Sequence, residues 1–405
     1  MYKFTKEEIP IMKKQLKQSN GITLIALVIT IIVLLILAGV SITTLTGDSG
    51  IIIKAQKAKE ETEKASIQEQ RELAKIEASL NENGATYTQT LDGKEVTVTI
   101  PEGFARTKIA GESNIEEGMV ITDEDGNEFV WVSCTKEEYE EATNQKGDWA
   151  QGGYSDKEWN DETVEGTISY NDRLVSVEKY GGFYVARYEA GIPENATEIY
   201  ANTDGAAYKN TRNVANYTPV SKKGVQAWNY ISQTNAKIVA QKMVSNSSAQ
   251  SYLIDSYAWD IICKKMQSIG NNITDSTKWG NYYNNKTTNY EGLNTLYAVH
   301  QYNNGWTPSA TYSKGKVTGA PKGVGTNRLE LSTGASEDFK AYNIYDMAGN
   351  MWEWTTETGT NGYAVLRGGS FNDSLRYYPV VYRNGYNGVG LTVVDVGFRS
   401  VLYLK

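Results

Sequence analysis

Histidine is almost absent from this 405-residue chain, which holds only His300, beside two cysteines and seven prolines. A single imidazole excludes a multi-histidine metal centre and any histidine-dependent triad with a spare ring. His300 stands in an Asn/Tyr-rich stretch with no cysteine or acid beside it and reads as a surface residue. Cys134 and Cys263 lack CxxC spacing, so a zinc knuckle and a thioredoxin-like pair are both excluded. A bridge between them stays open outside a cell, but Cys263 falls with Trp259 and Met266 at helical spacing on a core-facing stripe, where cysteine behaves as a small hydrophobe. No basic stripe follows residue 60 and the net charge is −8, which disfavours nucleic acid, whose binding needs clustered Lys and Arg. Internal repeats at solenoid or propeller periods are missing too. An apolar fraction of 40% is enough to bury at least one sizeable core, and the length suits two or three units.

Residues 22 to 40, "ITLIALVITIIVLLILAGV", form an uncharged apolar run. As a helix at about 1.5 Å per residue it nearly spans a hydrocarbon layer of about 30 Å. Before it stand Lys3, Lys6, Lys13, Lys14 and Lys17 against Glu7 and Glu8, while the flank beyond Val40 carries only Asp48. The positive-inside bias therefore places the N-terminus in the cytoplasm and everything after Val40 outside the cell membrane, which the chain crosses once. The apolar core is longer than that of a secretory signal, and no A-x-A-like exit follows. The junction "SNG/ITLIAL" resembles the prepilin leader of type IV pilins and pseudopilins. That resemblance covers about the first 80 residues and implies cleavage after Gly21, methylation of the new amine at Ile22, and pilin or pseudopilin subunits as partners. The family usually has Glu as the fifth mature residue, where this chain has Ala26; that departure leaves a minor or tip pilin, or a plain signal anchor.

Residues 51 to 82 contain no glycine or proline and carry charges of both signs. Ile51, Ala55, Ala58, Thr62 and Ala65, then Leu73, Ile76 and Leu80, recur at three- and four-residue spacing, which predicts an amphipathic helix ending at "NENG". Residues 41 to 84 thus read as a helical stalk, with a kink at Gly47 to Gly50, and residues 85 to 405 as the body. There the period changes to two in "EVTVTI" and "EFVWVS", and "GGFYVARYEAGIPE" (181 to 194) gives another strand. Helical patterns cover roughly 222 to 244 and 255 to 268. The stretch from 270 to 340, rich in Asn, Tyr, Gly, Ser and Thr, reads as long loop, and its aromatics, such as Trp279 and Trp306, argue against disorder.

In "YDMAGNMWEW" (345 to 354), Asp346 and Glu353 flank a Gly-Asn turn, so the loop can fold back and offer carboxylate and carbonyl oxygens to a hard cation. Trp352 and Trp354 read as core aromatics, and Arg367 and Arg399 as guanidiniums that tie loops together. Taken in order, "EFVWVS", "GGFYVARYEAG", "SYLIDSYAWDIICKKM", "YDMAGNMWEW", "VLRGGSF", "YRN" and "VGFRSVLY" resemble the formylglycine-generating enzyme-like, or sulfatase-modifying factor, domain, a branch of the C-type lectin fold. The likeness runs over about residues 125 to 405. It implies an α+β body of short strands, two helices and long loops, and a structural Ca²⁺ held by the side chains of Asp346 and Glu353 and the carbonyls of Gly349 and Met351. The family's oxidase binds copper through two closely spaced C-terminal cysteines, and its iron-dependent relatives need several histidines. This chain has no cysteine after Cys263 and one histidine, so a binding role is expected in place of catalysis, since a fold does not carry an activity by itself.

The segment "FNDSLRYYPVVYRNGYNGVGLTVVD" (371 to 395) interleaves Tyr377, Tyr378, Tyr382 and Tyr386 with Asn372, Asn384 and Asn387. Tyr gives large amphipathic contact area at low rotamer cost, and Asn, Ser and Gly give adaptable hydrogen bonding. Between RGGS and GFR it resembles the variable segment of proteins diversified by retroelements. These residues are the expected binding surface for a protein or glycan ligand; the rival classes are an oxidoreductase and a purely structural minor pilin.

Overall fold

The computed structural model describes residues 29–33, 51–142, 167–200, 212–276, 279–283, 285, 296–301, 305–307, 327–358, 363–373, 377–386 and 388–405. Of the apolar run, residues 29–33 are helical, and the rest lies outside the described residues together with Gly21, Ile22, Ala26 and the expected kink. Among the described residues no helix is long and apolar enough to cross a membrane.

The stretch free of glycine and proline forms one helix, Ile51–Leu80. The Asn81 amide beyond it donates to the carbonyls of Pro101 (3.2 Å) and Phe104 (2.8 Å). The chain divides into two compact units, Met1–Gln68 and Glu69–Lys405. The second takes in the last turns of this helix, which had read as stalk. There Ala74 and Ala78 are buried, and Arg71 pairs with Glu112 at 3.0 Å and with Glu128. Arg187 reaches the same two acids at 2.8 and 2.9 Å, so two guanidiniums balance two carboxylates.

The larger unit is mixed α+β. Its central sheet is antiparallel, in the order Phe104–Arg106, Val120–Asp123, Glu128–Ser133, Gly182–Ala186, Ser400–Leu404, Ala249–Leu253. Alternate side chains feed two separate cores, as a strand's period of two requires. Phe129, Trp131, Tyr184 and Leu402 enter one; Val130, Val132, Val185 and Val401 enter the other with both cysteines. Cys134 and Cys263 are free and buried, and burial pushes each thiol up to about 12, so neither is a thiolate nucleophile near neutral pH.

Helix Ser256–Ser268 appears where its pattern predicts, capped by Asp255, whose carboxylate accepts the Ala258 N–H at 2.9 Å. The pattern over 222 to 244 is only partly helical, Gln233–Ala240. Gly224 (φ +80°) and Tyr230 (φ +55°) take left-handed turns, and Ser232 starts the helix late by accepting the Asn235 N–H at 3.2 Å. A helix that the sequence did not signal, Tyr170–Tyr180, packs before the strand at 182. The stretch from 270 to 340 is not all loop: Leu296–Gln301 pairs with Gly305–Thr307 and Asn327–Leu331. His300 therefore lies in a strand, with its side chain outside the described residues.

A second sheet, in the order Asn384–Tyr386, Ala364–Arg367, Trp352–Thr358, Val396–Phe398, closes with a parallel pair. Phe398 ends this sheet and Ser400 begins its run in the central one, which puts Arg399 at the joint. Its guanidinium donates to the Ala186 carbonyl in the central sheet at 3.0 Å, to Tyr345 O at 2.9 Å, and to Glu353 in the second sheet. That is the physical content of "GFR": a buried cation tying two sheets where the chain crosses between them.

Candidate ligand-binding surface

The loop "YDMAGNMWEW" is held tightly. Asp346, Gly349 and Asn350 all have positive φ (59°, 76° and 57°), and a Cβ on Gly349 would lie 2.4 Å from the Asn281 carbonyl oxygen, so only glycine fits there. Asn350 Oδ1 accepts the Leu331 N–H at 3.0 Å, and its amide donates to Glu189 Oε2 at 2.5 Å. Glu189 Oε1 accepts the Met351 N–H at 2.9 Å. Trp354 is fully buried, its indole N–H donating to Ile231 O at 2.8 Å.

Of the donor set expected for calcium, the two carboxylates have other partners. Both oxygens of Glu353 accept from Arg399, at 2.7 to 3.2 Å, and Asp346 Oδ2 accepts the Gly334 N–H at 2.7 Å. Among the described residues no group of three or more His, Cys, Asp or Glu is arranged to hold a metal ion. The Arg399 guanidinium thus holds both oxygens of Glu353, and a cation drawing on Asp346, Glu353 and the carbonyls of Gly349 and Met351 would have to share Glu353 with it. Glu189, which completes this buried centre, was missed as a site residue although it lies inside the quoted "ARYEAG".

The described part of the segment 371 to 395 is pinned at several points. At its start Ser370 Oγ bonds Asp373 (2.6 Å) and Asp395 (2.9 Å), and the Asn372 amide donates to Asp395 at 3.0 Å. Burial first, and the neighbouring Asp395 carboxylate second, push the Asp373 carboxyl up to about 6. In its middle Val380 and Val381 are fully buried, the Trp259 indole donates to Val380 O at 3.0 Å, and Arg383 joins Arg367 in a closed network with Asp260 and Glu357. A Cβ on Gly369 would lie 2.6 Å from Tyr378 O, so the glycine of RGGS lets the segment lie flat on the loop before it.

The expected tyrosines therefore differ in setting. Tyr377 projects with 66% of its surface exposed. Tyr378 and Tyr382 are half-buried, edge to face with centroids 4.9 Å apart, and pack on Trp352 at 5.5 and 6.2 Å. Asn372 and Asn384 are half-buried. Tyr386 lies in the edge strand of the second sheet; its side chain and all of Asn387 are outside the described residues. Val389 and Leu391 are exposed. Tyr217, half-buried against the core cluster that also supports Tyr378 and Tyr382, was not anticipated. The result is an aromatic patch on a stiff base, bordered by the paired carboxylates of Asp373 and Asp395.

Residues 256–404 match the family model of the sulfatase-modifying factor enzyme 1-like domain. Among solved structures, the chain is similar to Treponema denticola variable protein 1 at 15% identity, with 78% of this chain and 98% of that chain covered and a TM-score of 0.19. No curated protein sequence matches.

Proposed function

We propose that this protein is an extracellular, adhesin-like binding module, held at the cell membrane or on a pilus by its N-terminal segment, and that its C-type-lectin-like domain has no catalytic role. The patch around Tyr377, Tyr378 and Tyr382 meets a protein or glycan ligand. The observation that carries this reading is the exposed Tyr377 ring, next in sequence to Tyr378, which packs with Tyr382 on Trp352; a tyrosine on a backbone held in this way yields contact area without a large ordering cost. Supporting it, the described cysteines are buried and protonated at neutral pH. Variation of the exposed residues between RGGS and GFR would leave the pinned residues untouched, which suits a segment diversified by a retroelement. Pilin or pseudopilin subunits are the partners of the leader if Gly21 is cleaved.

The test is to probe the full chain in detergent against a printed glycan array and a panel of purified surface proteins, with Tyr377→Ala in parallel. A ligand whose signal falls at least five-fold with Tyr377→Ala, while the melting temperature holds, supports the surface. Binding that is unaffected by Tyr377→Ala and by Asn384→Ala sinks it.

A further inference from the structure

Within the larger unit, Ala85–Leu91 and Lys94–Ile100 form a two-stranded antiparallel hairpin. It turns at Asp92 and Gly93, both at positive φ (48° and 78°), a two-residue turn whose flanking residues are hydrogen-bonded to each other. Leu91 and Lys94 are therefore a bonded pair, and the alternation of an antiparallel ladder makes Gln89 and Val96, Tyr87 and Val98, and Ala85 and Ile100 bonded pairs too. Thr86, Thr88 and Thr90 turn their N–H and C=O groups the other way, to the outer edge. The same alternation holds on the partner strand: Thr99, opposite Thr86, turns its carbonyl out of the ladder, where the Tyr184 hydroxyl donates to it at 2.8 Å. The edge along Lys94–Ile100 thus meets the body, whereas among the described residues no backbone hydrogen bond reaches Thr86, Thr88 or Thr90 across the other edge.

That open edge carries none of the devices that keep a strand from pairing with another chain. Ala85–Leu91 has no charged residue and no proline, runs without a bulge, and places a β-branched threonine at every second position, exposed to solvent. Its other face is held by the body: the Arg106 guanidinium lies 3.9 Å over the Tyr87 ring, the Gln89 amide donates to Asn114 at 3.0 Å, and its carbonyl oxygen accepts the Ile115 N–H at 3.0 Å. The geometry points to a second copy of this chain as the partner, its own Ala85–Leu91 strand pairing antiparallel with this one about a two-fold axis at Thr88. In that register Thr88 faces Thr88, and Thr86 faces Thr90 in both directions, so the outward N–H and C=O groups of all three threonines find partners. A shift of two residues either way leaves one threonine beyond the end of the other strand. The strand is thus complementary to itself, as an isologous contact requires. The two hairpins become one continuous sheet with the threonines of both copies on one face, where Thr88 Oγ1 already meets Thr97 Oγ1 at 2.8 Å, and cross-strand threonine pairs are favourable. Two joined copies offer two aromatic patches to a repetitive ligand; that gain in avidity rests on the binding reading, and the pairing itself does not.

The test uses the full chain in detergent, with its mass followed by sedimentation and with Thr86→Cys, Thr88→Cys or Thr90→Cys variants oxidised by copper phenanthroline. The native thiols are buried and do not compete. Bonded cross-strand neighbours stand about 5.5 Å apart at Cα, within reach of a disulfide. Thr88→Cys should therefore give at least five-fold more linked dimer than Thr86→Cys or Thr90→Cys alone, and an equal mixture of the last two should recover about half of it. Thr88→Pro removes an N–H that the hairpin's own ladder does not use, so it should return the chain to a monomeric mass while the melting temperature holds. Equal self-linking at all three positions would mean a parallel pair or random collision and overturn the proposal. A monomeric wild-type chain, or a dimer that survives Thr88→Pro, would overturn it as well.

Discussion

Replacing Tyr378 with alanine should destabilise the larger unit, whereas replacing Tyr377 should not, although the two are adjacent. The Tyr378 ring is half-buried against Trp352 and Tyr382, at centroid distances of 5.5 and 4.9 Å. Truncating a fully buried aromatic costs about 3–5 kcal/mol; half that burial, with two edge-to-face contacts of roughly 0.5–1 kcal/mol each included, gives about 2 kcal/mol. Tyr377, 66% exposed, should cost less than ~0.5 kcal/mol. For a unit of the size of Glu69–Lys405 the unfolding entropy is on the order of 0.7 kcal/mol/K, so 2 kcal/mol appears as about 3 °C in the thermal midpoint. Scanning calorimetry on the two variants and on Tyr382→Ala resolves that difference. A Trp352→Ala/Tyr378→Ala double-mutant cycle should return a coupling of about 0.5–1.5 kcal/mol. The reasoning is refuted if Tyr378→Ala melts with the wild type, or if Tyr377→Ala melts as early as Tyr378→Ala. In the first case the rings are not packed, and in the second the whole segment is core and offers no ligand surface.

Arg399→Leu leaves Glu353 buried without its cation and should cost about 3–5 kcal/mol, read by denaturant titration; a loss under 1 kcal/mol would mean the sheet joint does not depend on the pair. Because Arg399 holds both Glu353 oxygens, adding calcium or a chelator should leave the melting curve unchanged, and a midpoint that rises with calcium would restore the four-residue site as a metal centre. Glu330 is fully buried; desolvation outweighs the Arg212 charge and the Gln226 hydrogen bond and pushes its carboxyl up to about 8. The folded state then holds a proton that the unfolded chain releases near pH 4.5, so this contribution is full below that pH and is lost as pH rises through about 8, by an amount on the order of a few kcal/mol. Glu330→Gln should flatten the decline, and an unchanged pH profile would remove Glu330 as its source. Gly21→Ala should block a cut before Ile22; intact mass spectrometry showing wild-type protein that begins at Met1 on cells would leave the plain anchor.

Local signals were legible wherever the chain's own repeat decides the structure. The period of two in Glu128–Ser133 reappears as two cores on the two faces of one sheet, and the cap at Asp255 sits where a helical pattern begins. The RGGS and GFR motifs stood out, yet what they do depends on partners distant in sequence: Arg367 needs Asp260, and Arg399 needs Glu353 and Ala186. The pattern over 222 to 244 overstated its helix because periodicity does not register a residue such as Tyr230 at φ +55°, a conformation stabilised by the surrounding fold and not by its own side chain.

The segment 371 to 395 shows most plainly why composition misleads. Tyr, Asn and Gly describe a paratope, but Val380, Val381 and Arg383 among them are framework, fully or almost fully buried. The apolar pair after Pro379 was the available signal, outweighed by the surrounding polar residues. Its consequence is functional: a loop anchored at Ser370, at Val380 to Arg383 and again at Val396 can exchange the exposed side chains between those anchors without changing its own path. Tyr377 and the exposed Val389 and Leu391 lie in those intervals. Substitutions there should alter what is bound, and substitutions at the anchors should alter whether the domain folds. The two sets are separated by burial, which neither residue type nor sequence position reports.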